Sequence, residues 1–335
     1  MKLTKFFSFC LLCLSLSACE LLFMEKSPSN DPVSNFESLW KTLDERYSFF
    51  DYKHIDWDSV YQVYRPQVDE TISDDSLFNV CKALLRSLHD GHVYLVGYKD
   101  IAFYPDFYLN YPANYNRDLL ERNYLRNNDV RYAGPLWHAR LNDIGYIYYP
   151  SFTAPFSKDH LDAVLTRFQD TKGLIIDVRH NEGGDPQYAF RLLERIVTER
   201  THVYNTAYKS GPKHQEFETP AAVFVEPKEK IRYQKPVIVL ANRLTYSAAN
   251  LFVAMCKNIP SITIIGDYSG GGGGVPAGAE LPNGWTYGFS SSILSMPDGF
   301  IIEHGVAPDI QLDNDPIDEM NGIDTILERA LTELQ

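Results

Sequence analysis

The stretch GLIIDVRHNEGG, residues 173–184, decides the class of fold. Its run from Gly173 to Val178, apolar but for Asp177, lacks the polar alternation of a half-exposed strand, so it reads as a strand covered on both faces. A polar turn, Arg179 to Gly184, follows it, and then a helical pattern from Pro186 to Glu199. The same plan recurs downstream: a strand from Val237 to Ala241, a turn from Asn242 to Tyr246, a helix from Ser247 to Lys257 and a strand from Ile262 to Gly266. Upstream, a strand at Ile144 to Tyr149 and a helix marked by Leu161, Val164, Leu165 and Phe168 carry the alternation back to about residue 139. Strands and helices in alternation predict a layered α/β core over 139–335. Ligands gather beyond the carboxyl ends of such strands, so the two turns mark the candidate site.

Before this core the pattern is helical over 33–97. Phe36, Leu39, Trp40, Leu43 and Tyr47 share one face of a first helix, with Ser34 and Glu37 in capping-box spacing. A second helix is predicted from about Asp58 to Val68, and a third from Asp75 to Leu88 with Leu77, Cys81, Leu84 and Leu85 at helical spacing. Gly91 stops the third, and His92 to Val96 reads as a strand. Residues 98–138, rich in Tyr, Asn and Pro, read as an irregular linker.

The first residues read as an export signal over 1–18. Lys2 and Lys5 precede an apolar run, Phe6 to Leu16, that is too short to span a bilayer. Leu16-Ser17-Ala18-Cys19 has the form of a lipobox, which predicts lipidation of Cys19 and a tether over 19–32. The expected location is the cell envelope, with a bacterial membrane as partner through the N-terminal lipid. The alternatives are an ordinary secretory signal with a chance cysteine and an uncleaved anchor. The formal net charge of −13 and the lack of a Lys/Arg cluster argue against nucleic acid. Nine scattered His, no HExxH, and no CxxC pair other than Cys10 and Cys13 inside the expected signal predict neither metal nor other cofactor. Cys81 and Cys256, each in an apolar helical pattern, read as buried packing residues.

Ser247 stands where a strand-end turn becomes a helix, close to unsatisfied N–H groups and the positive end of the helix dipole. Serine is also a common N-cap, and on position alone a cap is the simpler reading. As a nucleophile it would need a base and an oxyanion hole; the amides of Gly183, Gly184 and Ala248 are the candidate donors. The glycines at 270–274 allow either close ligand approach or a flexible flap. Asp177 and Arg179 read as an ion pair bracing the turn, and Asp309 as a turn or cap residue.

The runs GLIIDVRHNEGG (173–184), VIVLANRLTYSAANLF (237–252), IIGDYSGGGGG (264–274) and EHGVAPDIQL (303–312), in this order, resemble the tail-specific, or C-terminal processing, peptidase family. LLRSLHDGHVYL (84–95) resembles its N-terminal helical part. The resemblance implies a crotonase-like fold of ββα units, with Ser247 as nucleophile and Gly183 and Gly184 in the oxyanion turn. Many members use a Lys base from the Gly-rich stretch, which here holds only glycines; Lys257 lies far along the helix and would point away. The branch similar to the tricorn protease core implies instead His92 as base and Glu303 as its carboxylate, in contact directly or through another hydroxyl. A neutral imidazole suits that role near pH 7. His89, His180 and His304 are rivals, His304 most of all because it adjoins Glu303.

No PDZ-like pattern falls between His92 and the core, and Asn250 stands where many relatives carry an acid. The reading is therefore a serine peptidase acting on a peptide or protein substrate, with no oligomeric state assigned. Its alternative is a non-catalytic peptide- or hydrophobic-ligand-binding module on the same fold. An esterase is weaker, because there is no GxSxG elbow.

Overall fold

The computed structural model describes residues 28–335; the expected signal, Cys19 and the first part of the tether lie outside the described residues. Three helices open it: α1 (Pro32–Arg46), α2 (Trp57–Tyr64) and α3 (Asp74–Arg86). Pro32 suits the first turn of α1 because its fixed φ is helical and its missing N–H would be unsatisfied there. The expected capping box on Ser34 and Glu37 does not form. Asp31 takes the cap, accepting from the Ser34 amide at 2.8 Å, and Glu37 instead pairs with Arg65 at 2.5 Å. The apolar faces meet as expected: Phe36, Leu39, Leu43, Leu77, Cys81 and Leu84 are buried in one cluster.

After these come β1 (Tyr94–Val96), β2 (Ile101–Phe103), α4 (Asp106–Leu109) and α5 (Arg117–Leu119), which runs into a π-helical turn at Leu120–Leu125. The chain continues through β3 (Arg131–Ala133), β4 (Leu136–Leu141), β5 (Ile144–Tyr148), α6 (Lys158–Arg167), β6 (Gly173–Asp177) and α7 (Gln187–Leu193). The helix expected to reach residue 199 stops at Leu193, where the backbone tightens and Ile196 and Val197 turn into the core. Next are β7 (Thr201–Tyr208), β8 (Ala221–Val225), β9 (Val237–Ala241), α8 (Ala248–Cys256) and β10 (Ile262–Gly266). The last part holds β11 (Pro276–Glu280), β12 (Thr286–Ser290), β13 (Ser292–Ser295), a 3-10 turn at Ile302–His304, β14 (Ile310–Gln311), α9 (Pro316–Met320) and α10 (Thr325–Glu333).

The central sheet has the order β14-β10-β9-β6-β5-β4-β3. Strands β5, β6, β9, β10 and β14 are parallel, while β3 and β4 are antiparallel. Its apolar strands serve both faces: Leu174, Ile176, Val237 and Val239 join a core with Leu192 and Phe252, whereas Ile175, Ile238 and Leu240 pack with Ile326 and Leu327 of α10. Each such side chain contributes roughly 1.5–3 kcal/mol on burial. This is the mixed α/β core expected, with the helical region in front.

Two segments cross the boundaries drawn from sequence. Strand β3 and the start of β4 precede residue 139 yet belong to the central sheet, through the pairs Arg131↔His138 and Tyr132↔Trp137. Leu281, Trp285, Tyr287 and Phe289 of the later chain pack into the cluster formed by α1 and α3, and β12 pairs with β1. The helical front and the α/β core are thus joined by a shared four-stranded sheet, β11-β12-β1-β2.

Candidate active site

Because β6 and β9 are parallel neighbours, their following turns lie side by side. The Tyr246 amide donates to the Asn181 carbonyl at 3.0 Å, and a Cβ on Gly183 would meet Ala248 N and Ser247 Cβ at 2.8 Å. Only glycine allows this approach, and its φ of +96° is one that L side chains rarely adopt. Ser247 occupies the N-cap position of α8 but makes no cap hydrogen bond, so the capping alternative falls. Its backbone is held at φ 54°, ψ −122°, outside the ordinary regions for a residue with a side chain. Two bonds hold it there, from Ser247 N to Gly271 O and from Leu251 N to Ser247 O, each 2.9 Å.

His92 Nε2 lies 2.9 Å from Ser247 Oγ. The Asp90 carboxylate shapes the turn that delivers the ring, its Oδ1 accepting from the His92 amide at 2.7 Å. Tyr246 packs edge-on against the imidazole, with ring centroids 5.0 Å apart. Burial pulls the His92 pKa below its ordinary value; Asp90 pushes it back up and Lys53 adds to the lowering. The ring is therefore neutral near pH 7, with Nε2 able to accept the hydroxyl proton. Nδ1 is buried with no hydrogen-bond partner among the described residues.

The rival imidazoles are engaged elsewhere: His304 stacks on Tyr52, His180 packs on Tyr115 and His89 on Tyr104. Lys257 pairs with Asp309 at 2.5 Å, at the far end of α8 from the hydroxyl. Asp309 also accepts from the Ile264 amide at 2.8 Å, so it ties the chain before β14 to β10.

Glu303 is buried but does not touch His92. Its Oε1 sits 2.6 Å from Lys53 Nζ and its Oε2 accepts from the Gly273 amide at 2.8 Å. Burial and the neighbouring Asp90 push its pKa up to about 7, against the opposing pull of Lys53. Asp90 goes the other way: burial alone would raise it, but Lys53, His92 and its hydrogen bonds hold it below its ordinary value. Lys53 was not foreseen from sequence, where it is an ordinary Lys in a loop after α1.

The expected oxyanion donors separate. The Gly183 amide already donates to Asn181 Oδ1 at 3.0 Å, which differs from its expected role, because a short Asn side chain folds back on its own turn. The amides of Gly184 and Ala248 have no acceptor among the described residues. Asn181 also accepts from the Phe152 amide at 3.3 Å and donates to the Tyr149 carbonyl at 2.9 Å, so it fixes the turn from three sides. The pairing of Asp177 with Arg179 is present at 2.7 Å and is completed by Asp324 at 2.9 Å, all three buried.

The glycine run is neither an open cradle nor a flap. A Cβ on Gly271 would collide with the Glu303 carbonyl, so the run is wedged between the Ser247 turn and the Glu303 turn. Asn250 binds the same region, donating to the Ile302 carbonyl at 3.0 Å and accepting from Ser269 Oγ at 2.6 Å. A cavity of about 320 Å³ opens beside Tyr246, lined by Phe107, Arg243, Gly272, Glu303 and His304 among others; Ser247 and His92 are not in its wall. Among the described residues no group of His, Cys, Asp or Glu converges as a metal site would require. No described helix is long and apolar enough to cross a membrane.

The model of peptidase family S41 matches residues 143–312, about half of the chain and including Ser247, both glycine turns and Glu303. The chain belongs to peptidase family S41. A second model, the tricorn protease C1 domain, matches residues 28–86. The S41 chain is 39% identical to a peptidase candidate from Parabacteroides merdae whose crystal structure superposes with a TM-score of 0.88, covering 91% of this chain and 97% of that one. Mature CPAF, solved in complex with lactacystin, shares the fold at 14% identity and a TM-score of 0.69, over 91% of this chain and 98% of that one. The carboxy-terminal processing protease CtpA of Bacillus subtilis is 28% identical over 172 residues, 51% of this chain and 35% of that protein. The matched stretch spans only about a third of such curated relatives.

Proposed function

We propose that this chain is a serine peptidase of the cell envelope that cleaves peptide bonds through an acyl-enzyme on Ser247. The observation that carries the reading is the 2.9 Å contact between His92 Nε2 and Ser247 Oγ. As Oγ bonds to the scissile carbonyl carbon, its proton passes to Nε2, and the oxyanion accepts from the free amides of Ala248 and Gly184. The imidazolium then protonates the departing amine as the C–N bond breaks. Water, losing a proton to His92, attacks the ester carbon; as the C–Oγ bond breaks, the imidazolium returns that proton to Ser247 Oγ and the carboxylic acid product leaves. Glu303 acts on this set through Lys53 and Asp90 instead of by contact with the ring.

A fluorophosphonate probe and a peptide library test the reading together. Labelling at Ser247 and cleavage of library peptides, both absent in Ser247→Ala, are the expected results. A chain that retains peptides without labelling or cleavage would instead be a binding module.

We further propose that Cys19 carries lipid and holds the domain at a bacterial membrane, on the strength of Leu16-Ser17-Ala18-Cys19 behind a charged and apolar leader. Metabolic labelling with a fatty acid analogue, lost in Cys19→Ala, is the expected outcome; unchanged labelling overturns it.

A further inference from the structure

The cluster behind the imidazole contains a cation that the proposed chemistry does not consume. Lys53 is almost fully buried, and its ammonium contacts Glu303 Oε1 at 2.6 Å and Asp90 Oδ2 at 3.7 Å. It also donates to the carbonyls of Leu88 at 3.2 Å and His89 at 3.0 Å. These acceptors come from two distant segments: the turn that presents His92 and the turn that follows β13. An ammonium with three donors, fixed among two carboxylates and two carbonyls, is a rigid tie between them.

Asp90 links that tie to the imidazole. One oxygen accepts from the His92 amide; the other takes Tyr47 Oη and Ser290 Oγ, each at 3.0 Å. Among the described residues His92 Nδ1 has no hydrogen-bond partner, and the ring is held by its backbone, by Tyr246 and by Ser247. Fixing the backbone of the 88–92 turn therefore fixes the base.

We propose that Lys53 is a positioning residue for this reaction: by tying Glu303 to the turn at Leu88 to His92, it holds the imidazole against Ser247, with its ammonium weighing against a positive charge on the ring. The assignment rests on the peptidase reading above, in which His92 is the base. The groups that bear on Lys53 are Asp90, Glu303 and Tyr104, with Tyr47 and Tyr52 at its flanks and His304 and His92 nearby. Tyr246 bears on the ring from the other side. The cation opposes a positive charge on His92, while Asp90 favours it. Loss of Lys53 removes one charge that opposes protonation of the ring, while Asp90, still accepting from the His92 amide, Tyr47 and Ser290, continues to favour it.

The test is the titration of the His92 ring by NMR in the full chain, its resonance assigned with His92→Gln, in wild type and Lys53→Met. The midpoint is expected to rise by about one pH unit, with the acid limb of the kcat/KM profile moving up by the same amount. Should Lys53→Met fail to fold, the double variant Lys53→Met/Glu303→Gln removes both partners of the buried pair and is expected to fold, with the same upward midpoint because Asp90 remains. A folded single or double variant whose His92 titrates as in wild type overturns the proposal. The NMR readout does not need turnover, so it stands apart from failure of the peptidase reading, which would appear as a wild-type chain that no fluorophosphonate labels.

Discussion

His92 Nε2 and Ser247 Oγ lie 2.9 Å apart although 155 positions separate them in the chain. A base within hydrogen-bond reach of a hydroxyl contributes about 10²–10⁴ to rate. His92→Ala is therefore expected to slow fluorophosphonate labelling of Ser247 by a factor of about 10²–10⁴ while leaving the thermal midpoint close to wild type. Equal labelling rates in the two proteins would remove His92 from the mechanism.

The buried ring sets the pH dependence. Burial lowers the His92 pKa from its ordinary 6.5, and the base is active only when neutral. Activity is expected to rise along an acid limb centred below pH 6.5 and to stay level above it, as read from kcat/KM against pH. A limb centred above 7 would point to a different titrating base.

Gly183→Ala tests the close contact between the two turns. The added methyl would lie 2.7 Å from the Tyr246 carbonyl and 2.8 Å from Ala248 N, at a φ of +96°. Backbone atoms cannot retreat as a flexible side chain would, so labelling of Ser247 should fall at least about tenfold and stability by about 1–3 kcal/mol. Wild-type kinetics in this variant would show that the two turns are not held together in solution.

Arg179 is fully buried between Asp177 and Asp324. Deleting one partner of a buried ionic group leaves uncompensated charge, so Asp324→Ala is expected to cost about 3–5 kcal/mol in denaturant unfolding. A loss below about 1 kcal/mol would indicate that water reaches the guanidinium.

Glu303 gives a stability signature of its own. Its pKa rises on folding from 4.5 to about 7, so the native state binds the extra proton between those values and wild-type stability falls as pH rises through that window. Asp90 is shifted downward and contributes the opposite slope at lower pH, with stability lost as pH falls through its folded value. Melting curves should show Glu303→Gln gaining on wild type from pH 4.5 to 7; a constant difference would mean that Glu303 is ionised throughout.

Much of the core was legible because its signals are local. The short runs at 173–178 and 237–241, apolar but for Asp177 and bounded by turn residues, read as strands covered on both faces, and β6 and β9 form there. The Ser247 turn was equally visible, as a polar break between a strand and an apolar helix. The Ser34 cap and the end of the helix after Pro186 were misread, since Asp31 competes for the same amide and the chain beyond Leu193 is drawn into the core. Asn181 carried a faint signal, as an Asn two residues before a glycine in a strand-end turn, yet nothing local marked its three-way role.

By itself the sequence determined the alternation of strands and helices and the two turns at the sheet edge, and through its ordered motifs it singled out Ser247 and His92 as candidates for nucleophile and base. Only the tertiary structure decided that Glu303 reaches Lys53 and not the imidazole, that the Gly183 amide is taken by Asn181, and that β12 stitches the helical front to the core. The reason is physical. Periodicity and turn chemistry are written in neighbouring residues, whereas the partner of a buried charge is chosen by which distant segments are brought together when apolar surface is removed from water.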